Sequence, residues 1–244
     1  MIQCSEHGER ERLGPPNVTG GRRTTLRLIV LAGALALAAL AACGPAGGAT
    51  PGAPGVIFQD DFSDPNSGWD AHTAADVTTN YDEGRYLIAV EEPLVDVWAT
   101  PGLELTDAVI DAGAQYAAGP KNNEFGLMCR YTRAGDGTNS FYFFLISSDG
   151  YYALGKVIKN ARTVLNPPDG SFQPSDAIEM GAAATNQLTA TCQGTHFTLS
   201  VNGAVVGEFD DDELPRGDVG LIAGTFDEGG VRIHFDDVVV AQPE

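Results

Sequence analysis

The chain has 244 residues, 43% of them hydrophobic, and a formal net charge of −19 at pH 7. It is long enough to bury one good hydrophobic core, and its acidity argues against a site for nucleic acid or for anionic lipid headgroups. The acidity is typical of a surface that keeps a protein soluble, and an alternative is a surface that recruits cations or cationic partners.

Residues 1–42 have the layout of a signal peptide. The uncharged run from Leu28 to Ala42 is shorter than the ~20 residues that a spanning helix needs, and it follows a basic segment. Its last residues and Cys43 read Leu-Ala-Ala-Cys, which resembles a bacterial lipobox. That resemblance implies cleavage before Cys43 and attachment of lipid to Cys43, which would anchor an exported protein to the outer side of the cell membrane or to the outer membrane.

Three alternatives stay open for this leader. Translation that begins at Val18 would give a leader of more usual length. An ordinary signal peptide with a chance cysteine at the cleavage site would leave no anchor. Arg22 and Arg23 loosely resemble a twin-arginine export signal, but Thr25 stands where that motif favours a large apolar residue, so we expect the general secretion route.

Residues 43–55 carry the lipidated cysteine and a tether rich in Gly, Pro and Ala that cannot fold alone. Residues 56–244 form a single domain in which turn residues recur every 8–15 residues and no sustained 3.6-residue apolar period appears. Short strand patterns occupy Gly84–Val90, Leu94–Thr100 and Ala108–Tyr116. This spacing predicts an all-β sandwich.

The segment Asn122–Lys156 predicts a three-strand meander. Phe125 and Leu127 begin a period-two apolar pattern that places Glu124 on the opposite, polar face of a half-buried strand. The next strand, Phe141–Ile146, is apolar on both faces and should be central. Asp-Gly pairs at 136–137 and 149–150 supply its hairpin turns.

A long loop rich in proline, at residues 167–176, should then cross between the sheets. Two alternating strands follow, and Asn202-Gly203 is the strongest short hairpin signal in the chain. Alternating apolar residues from Val231 to Val238 predict a terminal strand. Cys129 and Cys192 lie at apolar positions of predicted strands in an exported domain, so we expect a disulfide, with two buried thiols as the alternative.

No catalytic apparatus is visible. Glu91, Glu92 and Asp96 form a carboxylate cluster, but Pro93 interrupts the strand and their spacing is wrong for an acid and a nucleophile that face one bond. The histidines have no paired metal-ligand spacing, and no serine occupies a Gly-x-Ser-x-Gly elbow.

The turn and strand motifs of the domain resemble those of the concanavalin A-like lectin/glucanase superfamily. The resemblance is nearest to its laminin G-like branch and to a related family that includes proposed 3-keto-disaccharide hydrolases. It covers Val56 to the C-terminus, although the Glu-x-Asp-x-x-Glu pattern of the glucanases is absent. It implies a two-sheet antiparallel jelly-roll sandwich and says little about activity. The motifs that carry it are Phe62-Ser63-Asp64, Gly68-Trp69, Gly84-Arg85-Tyr86, Phe141–Gly150, Val201-Asn202-Gly203, Gly217–Leu221 and Phe235–Val238.

The resemblance also implies that the first and last strands of the domain lie side by side. Aspartates from both strands would then converge and could hold a structural Ca²⁺, although they could equally meet solvent separately. These residues are Asp60, Asp61, Asp64, Asp236 and Asp237.

Three aromatic residues, Trp98, Tyr151 and Tyr152, are our candidates for ligand binding, since flat aromatic side chains can stack on sugar rings; packing in the core is the alternative for each. We therefore expect a non-catalytic, lipid-anchored envelope module without a cofactor that binds a neutral glycan. The alternatives are an envelope lipoprotein that binds a protein partner or has a structural role, and a saccharide-acting glycoside hydrolase.

Overall fold

The computed structural model describes residues 55–181 and 184–244, and within these ranges it forms sixteen β-strands and no helix. In the described part of the chain no helix is long and apolar enough to cross a membrane. The predicted signal peptide, Cys43 and all but the last residue of the predicted tether lie outside the described residues. The strands are β1 (Val56–Asp60), β2 (His72–Thr73), β3 (Val77–Asp82), β4 (Arg85–Val90), β5 (Asp96–Ala99), β6 (Ala108–Ala118), β7 (Asn123–Arg133), β8 (Asn139–Ile146), β9 (Tyr151–Ile158), β10 (Ala161–Asn166), β11 (Gln173–Pro174), β12 (Thr185–Gln193), β13 (His196–Val201), β14 (Ala204–Asp210), β15 (Asp218–Thr225) and β16 (Val231–Ala241).

The described strands form two antiparallel sheets, so the predicted all-β sandwich is confirmed. A nine-stranded sheet has the order β14-β13-β12-β6-β16-β4-β3-β2, with β1 also paired to β16. A seven-stranded sheet has the order β10-β9-β8-β7-β15-β5, with β11 paired to β9. The predicted meander is β7-β8-β9, and β8 is central as expected.

Local turn chemistry fixes the connections. Asn202 and Gly203 both have positive φ, 51° and 83°, and they close the predicted hairpin between β13 and β14. The proline-rich loop after β10 leads to β11 and then to β12 in the other sheet. The first and last strands pair as the resemblance implied, with Asp60 opposite Val238.

The main hydrophobic core lies between the sheets. Tyr142 and Phe144 of β8 face Phe197 of β13 and Phe209 of β14, whose rings stack 4.8 Å apart. Since apolar side chains that alternate on both inner faces are removed from water, this layer supplies most of the driving force for folding.

A disulfide joins Cys129 and Cys192, which confirms the predicted pair. Cys129 lies on β7 of the seven-stranded sheet and Cys192 on β12 of the nine-stranded sheet, and both are buried. The covalent bond therefore links the two layers of the sandwich.

Strand β7 differs from the half-buried strand that the sequence predicts. Glu124 does face away from the apolar residues Phe125 and Leu127, yet it is only 1% exposed. Arg130 has a positive φ of 54° at a register shift in β7, and its guanidinium lies 4.9 Å from the ring centroid of Phe197 in the core between the sheets, where it is 3% exposed. Both faces of β7 are buried because the outer face of the seven-stranded sheet carries apolar and charged side chains of its own.

Candidate functional site

The outer face of the seven-stranded sheet is filled by a second hydrophobic cluster. Its buried members come from β7, β8, β9 and β15, and larger half-buried side chains pack over them. Trp98 of β5 lies 5.4 Å from Phe141 and 6.0 Å from Tyr131, measured between ring centroids. The buried members are Met128, Phe141, Phe143, Leu145, Val157 and Ile222.

Three glycines indicate that this outer face is concave. Gly126, Gly155 and Gly220 are on the same face as the second cluster, and backbone atoms of neighbouring strands lie where their side chains would be. A Cβ atom would lie 2.0 Å from the Phe144 oxygen at Gly126 and 2.2 Å from the Thr163 oxygen at Gly155. Since real Cβ contacts are never that short, the neighbouring strands fold toward this face only because glycine is present.

An arginine from the edge strand crosses this concave face. Arg162 of β10 binds Glu124 of β7 through two hydrogen bonds, Nη1 to Oε1 at 2.5 Å and Nη2 to Oε2 at 2.8 Å. The same Nη1 lies 3.4 Å from Oδ2 of Asp96 on β5, and the guanidinium carbon lies 4.5 Å from the ring centroid of Phe143. The Arg162 side chain is only 6% exposed. The three residues form what we call the charge triad.

The surroundings shift the pKa values of the two carboxyls in opposite directions. Burial raises the pKa of Asp96 well above its usual value, and the neighbouring Glu124 raises it further. Burial also acts to raise the pKa of Glu124, but the Arg162 guanidinium overcomes that effect and lowers the pKa below its usual value. Glu124 therefore carries the negative charge that balances Arg162, and Asp96 keeps its proton more readily than an ordinary aspartate.

The charge triad does not have the chemistry of a glycosidase pair. A nucleophile or base must reach the substrate, whereas both oxygens of Glu124 are bound by Arg162 and its side chain is 1% exposed. Glycosidase carboxyls are also held apart, about 5–5.5 Å in retaining and 6.5–9.5 Å in inverting enzymes, so that both face one bond. Here the two carboxyls contact one nitrogen of the same guanidinium.

A pocket of about 360 Å³ opens where this face reaches the turn between β8 and β9. The volume is at the small end of ligand sites. Two of its lining residues, Leu94 and Asn122, lie two positions before Asp96 and Glu124 in the chain. The lining residues are Leu94, Asn122, Ser147, Asp149, Tyr151, Phe172, Phe226 and Asp227.

Aromatic side chains form much of the pocket wall. Phe172, from the loop before β11, meets Phe226 edge to face with ring centroids 5.7 Å apart. Tyr151 begins β9 and is 39% exposed. Phe172 and Phe226 are half-buried, so Tyr151 is the most exposed of the three rings.

Hydrogen bonds from a buried side chain hold the turn that precedes Tyr151 in place. The buried Asn123 side chain donates hydrogen bonds to the Pro120 carbonyl oxygen at 2.8 Å and to Ser148 Oγ at 2.9 Å. It also accepts one from the Ser148 backbone N–H at 3.0 Å. Gly150 supplies the positive φ of 93° that the turn requires. The pocket wall is therefore preformed, which lowers the entropy lost on binding.

The structure separates the three aromatic residues that the sequence predicts for ligand binding. Tyr151 lines the pocket, and Trp98 lies on the same outer face among Tyr131 and Phe141. Tyr152 is on the opposite side of β9 and packs against the core between the sheets. Their role in binding stays a prediction.

The predicted calcium ligands lie on or beside neighbouring strands, and the carboxylates of Asp60 and Asp61 accept hydrogen bonds from residues close to them in the chain. Asp60 accepts hydrogen bonds from the Phe62 backbone N–H at 2.8 Å and from Ser67 Oγ at 2.5 Å. Asp61 accepts from Ser63, while Asp236 and Asp237 follow on β16. Among the described residues no group of three or more His, Cys, Asp or Glu side chains is arranged to hold a metal ion.

Sequence reasoning missed the charge triad and the aromatic residues Phe172 and Phe226. Asp96 and Glu124 were visible as separate carboxylates, but Arg162 lies 38 positions beyond Glu124 and reaches it only through the order of strands in the sheet. The one available signal was an acidic residue within an otherwise apolar strand, which requires a buried partner.

No protein-family model matches the sequence, and no curated protein matches it. Solved structures share its fold. The carbohydrate-binding module CBM66 from Bacillus subtilis superposes with a TM-score of 0.56 and 14% identity, covering 72% of this chain and 96% of that one. A Bacillus subtilis protein of unknown function with a galectin-like fold superposes with a TM-score of 0.57 and 10% identity, covering 77% of this chain and 96% of that one.

A Bacillus licheniformis β-glucanase gives a TM-score of 0.54 and 11% identity, covering 78% of this chain and all of that one. Identities this low show the fold alone. The fold is an antiparallel two-sheet jelly-roll sandwich, as the sequence predicted.

Proposed function

We propose that this protein is a non-catalytic carbohydrate-binding module that is held at the outer side of a bacterial membrane by lipid on Cys43. The observation that carries the proposal is the preformed aromatic pocket at the turn between β8 and β9. One of the three aromatic candidates named from the sequence, Tyr151, lines this pocket. The known carbohydrate-binding module and the β-glucanase of the same fold support a sugar as the ligand class.

The pocket has the two kinds of group that sugar binding needs. Tyr151, Phe172 and Phe226 offer flat apolar surfaces to the C–H faces of a sugar ring. Asn122 and Asp149 offer hydrogen-bonding groups to its hydroxyls. Because the domain carries a large negative charge, acidic glycans are repelled.

The filled concave face limits the length of the bound segment. Arg162 spans that face to reach Glu124, so a polysaccharide cannot lie along the whole sheet without breaking a buried ion pair. The remaining space is the end pocket of about 360 Å³. The site therefore accommodates one or two sugar residues.

A saccharide-acting hydrolase is the second candidate, and the raised pKa of Asp96 favours it. A carboxyl that keeps its proton beside a sugar pocket is a suitable general acid. The hydrolase also needs a free carboxylate to act as nucleophile or base, and Glu124 is fully occupied by Arg162. For this reason we favour binding without turnover.

A glycan array followed by calorimetry tests the proposal on the domain Val56–Glu244, which contains both hydrophobic clusters and so has its own core. Tyr151→Ala should weaken binding about three- to tenfold through the lost ring contact. Tyr152→Ala is the matched control, because this neighbouring tyrosine faces the other side of β9.

Two results would count against this function. If no glycan on the array binds, the protein-partner interpretation of the module takes precedence. If shortened products appear in the calorimetry samples, the module is an enzyme.

A further inference from the structure

The charged residues that line the pocket are all acidic. Asp149 and Asp227 are among its eight lining residues, and none of those eight is basic. The nearest buried cation, Arg162, is committed to Glu124 and Asp96. Lys121 precedes Asn122 in the chain, but its side chain is exposed and does not line the pocket.

The aromatic wall adds to the same negative potential. Aromatic rings carry electron density on their faces, and they attract a cation that lies within about 6 Å of the ring centroid. Phe172 and Phe226 meet edge to face, and Tyr151 lines the same pocket. A pocket with several rings and two carboxylates is the environment in which an ammonium group is held best.

We propose that the pocket selects a sugar residue that carries a free ammonium group over the same residue with an acetylated amine or a hydroxyl. This inference rests on the proposed function and names its ligand class. The ammonium group donates to Asp149 or Asp227 and lies against the rings, while the pyranose ring stacks on Tyr151. It replaces the neutral glycan expected from the sequence with a cationic one.

The concave shape strengthens this selectivity. Carboxylates within a partly enclosed, low-dielectric wall focus their field on the interior of the pocket, so a cation gains more there than on an open surface. Asp149 already accepts a hydrogen bond from Ser147 Oγ, which fixes its orientation toward the turn. A neutral sugar makes the ring contacts but leaves both charges without a counter-ion.

Three tetrasaccharides with the same β-1,4-linked backbone test the proposal. Fully deacetylated chitotetraose, its N-acetylated form and cellotetraose differ only at carbon 2, which carries an ammonium, an acetamide or a hydroxyl group. Calorimetry on the domain Val56–Glu244 should be run where amine and aspartates are both charged. We expect the ammonium form to bind about tenfold more tightly than either neutral form, and less so as salt rises.

Charge-removing variants locate the effect. Asp149→Asn and Asp227→Asn each keep the shape of the side chain, and together they should abolish the preference for the ammonium form. Asp212→Asn is the control for each single variant, since it removes one charge from an exposed aspartate. Asp212 follows Asp211, which pairs with Lys156 towards the other end of β9 from Tyr151. Thermal melts establish that all variants are folded.

The outcomes separate this inference from the proposed function. Equal binding of the three tetrasaccharides, or tighter binding of a neutral one, overturns the ammonium preference and leaves carbohydrate binding intact. If the ammonium form does not bind and no other glycan on the array binds, both the ammonium preference and the proposed carbohydrate binding are overturned. Loss of preference in Asp212→Asn shows that overall charge, rather than the pocket, was responsible, and also overturns the inference.

Discussion

Arg162 is the residue on which the outer face of the seven-stranded sheet depends. It neutralises the buried Glu124 with two hydrogen bonds and covers the ring of Phe143. Replacing it with methionine keeps much of the apolar contact but leaves Glu124 without its counter-charge. A buried charge that loses its partner is expensive, so Arg162→Met should lower the free energy of unfolding by about 3–5 kcal/mol in urea titrations.

The matched control is Arg216→Met. Arg216 also pairs with a glutamate, Glu104, at 2.9 Å, but the two side chains are 57% and 69% exposed. An exposed pair contributes at most about 1 kcal/mol. Equal losses in the two variants would show that the pair on the concave face is solvated in solution and that Arg162 does not hold it together.

Asp96 makes the stability of the domain depend on pH in a defined direction. Burial and the nearby Glu124 raise its pKa in the folded state, so the folded protein binds a proton that the unfolded chain releases above about pH 4. By linkage, the free energy of unfolding contributed by Asp96 falls as pH rises through the window between the two pKa values. Asparagine cannot ionise, so the free energy of unfolding of Asp96→Asn should fall less than that of the wild type as the pH rises above about 4.

The control for this pH dependence is a carboxyl whose pKa is shifted in the opposite direction. Asp136 accepts hydrogen bonds from the backbone N–H and hydroxyl of Thr138, and these lower its pKa. Its contribution is present above the unfolded pKa and is lost only as pH falls, so Asp136→Asn should not flatten the profile above about pH 4. Urea titrations of the three proteins across this pH range test the prediction, and coincident profiles for Asp96→Asn and wild type would contradict the raised pKa of Asp96.

At the scale of elements, the disulfide between β7 and β12 makes the two sheets one covalent unit. The cysteines are 63 positions apart, so opening the bond frees a long loop in the unfolded chain. The loop-entropy estimate gives about 4 kcal/mol of stability, less if the unfolded chain keeps structure. The double variant with alanine at Cys129 and Cys192 should lose about this amount in urea titrations.

The bond itself is checked by mass before and after alkylation of the denatured, unreduced protein. One disulfide leaves no thiol to react among residues 56–244, because Cys129 and Cys192 are the cysteines of that segment. Addition of two alkyl groups would mean that the buried cysteines are free.

Strand patterns and turns were readable from the sequence, whereas contacts across strands were not. Apolar residues on both faces of Phe141–Ile146 required a central strand, and Asn202-Gly203 required a hairpin. Periodicity assigns each side chain to a face but does not say which strands are neighbours. The alternation that put Glu124 opposite Phe125 was correct, but only the sheet order brings Arg162 to it.

The candidate site also combines residues that local sequence patterns indicate with residues that only the completed fold brings together. Tyr151 and Tyr152 both follow the Asp149-Gly150 turn, and turns present side chains at the ends of strands. Adjacent residues of a strand face opposite sides, so only one of the two tyrosines can line the pocket. Phe172 and Phe226 could not be predicted, since each lies in a connection whose position depends on the completed fold.

At the scale of the whole molecule, we propose that the chain combines a membrane anchor with a binding surface. The sequence predicts that residues 43–55 act as a tether, and a chain of that length spans roughly 20 Å when flexible. On such a tether, the proposed anchor would not commit the domain to one orientation beside the membrane. Its negative charge also keeps it away from anionic headgroups.

The last prediction concerns that anchor. The basic segment, the fifteen-residue uncharged run and the Leu-Ala-Ala-Cys sequence predict that Cys43 carries lipid. Since several acyl chains anchor stably where a single chain does not, the processed protein should sediment with membranes and resist extraction by high salt. Cys43→Ala should abolish labelling by a palmitate analogue and leave an uncleaved precursor. Cys4→Ala, at a cysteine upstream of the uncharged run, should change neither property, and labelling that survives in Cys43→Ala would place the lipid elsewhere.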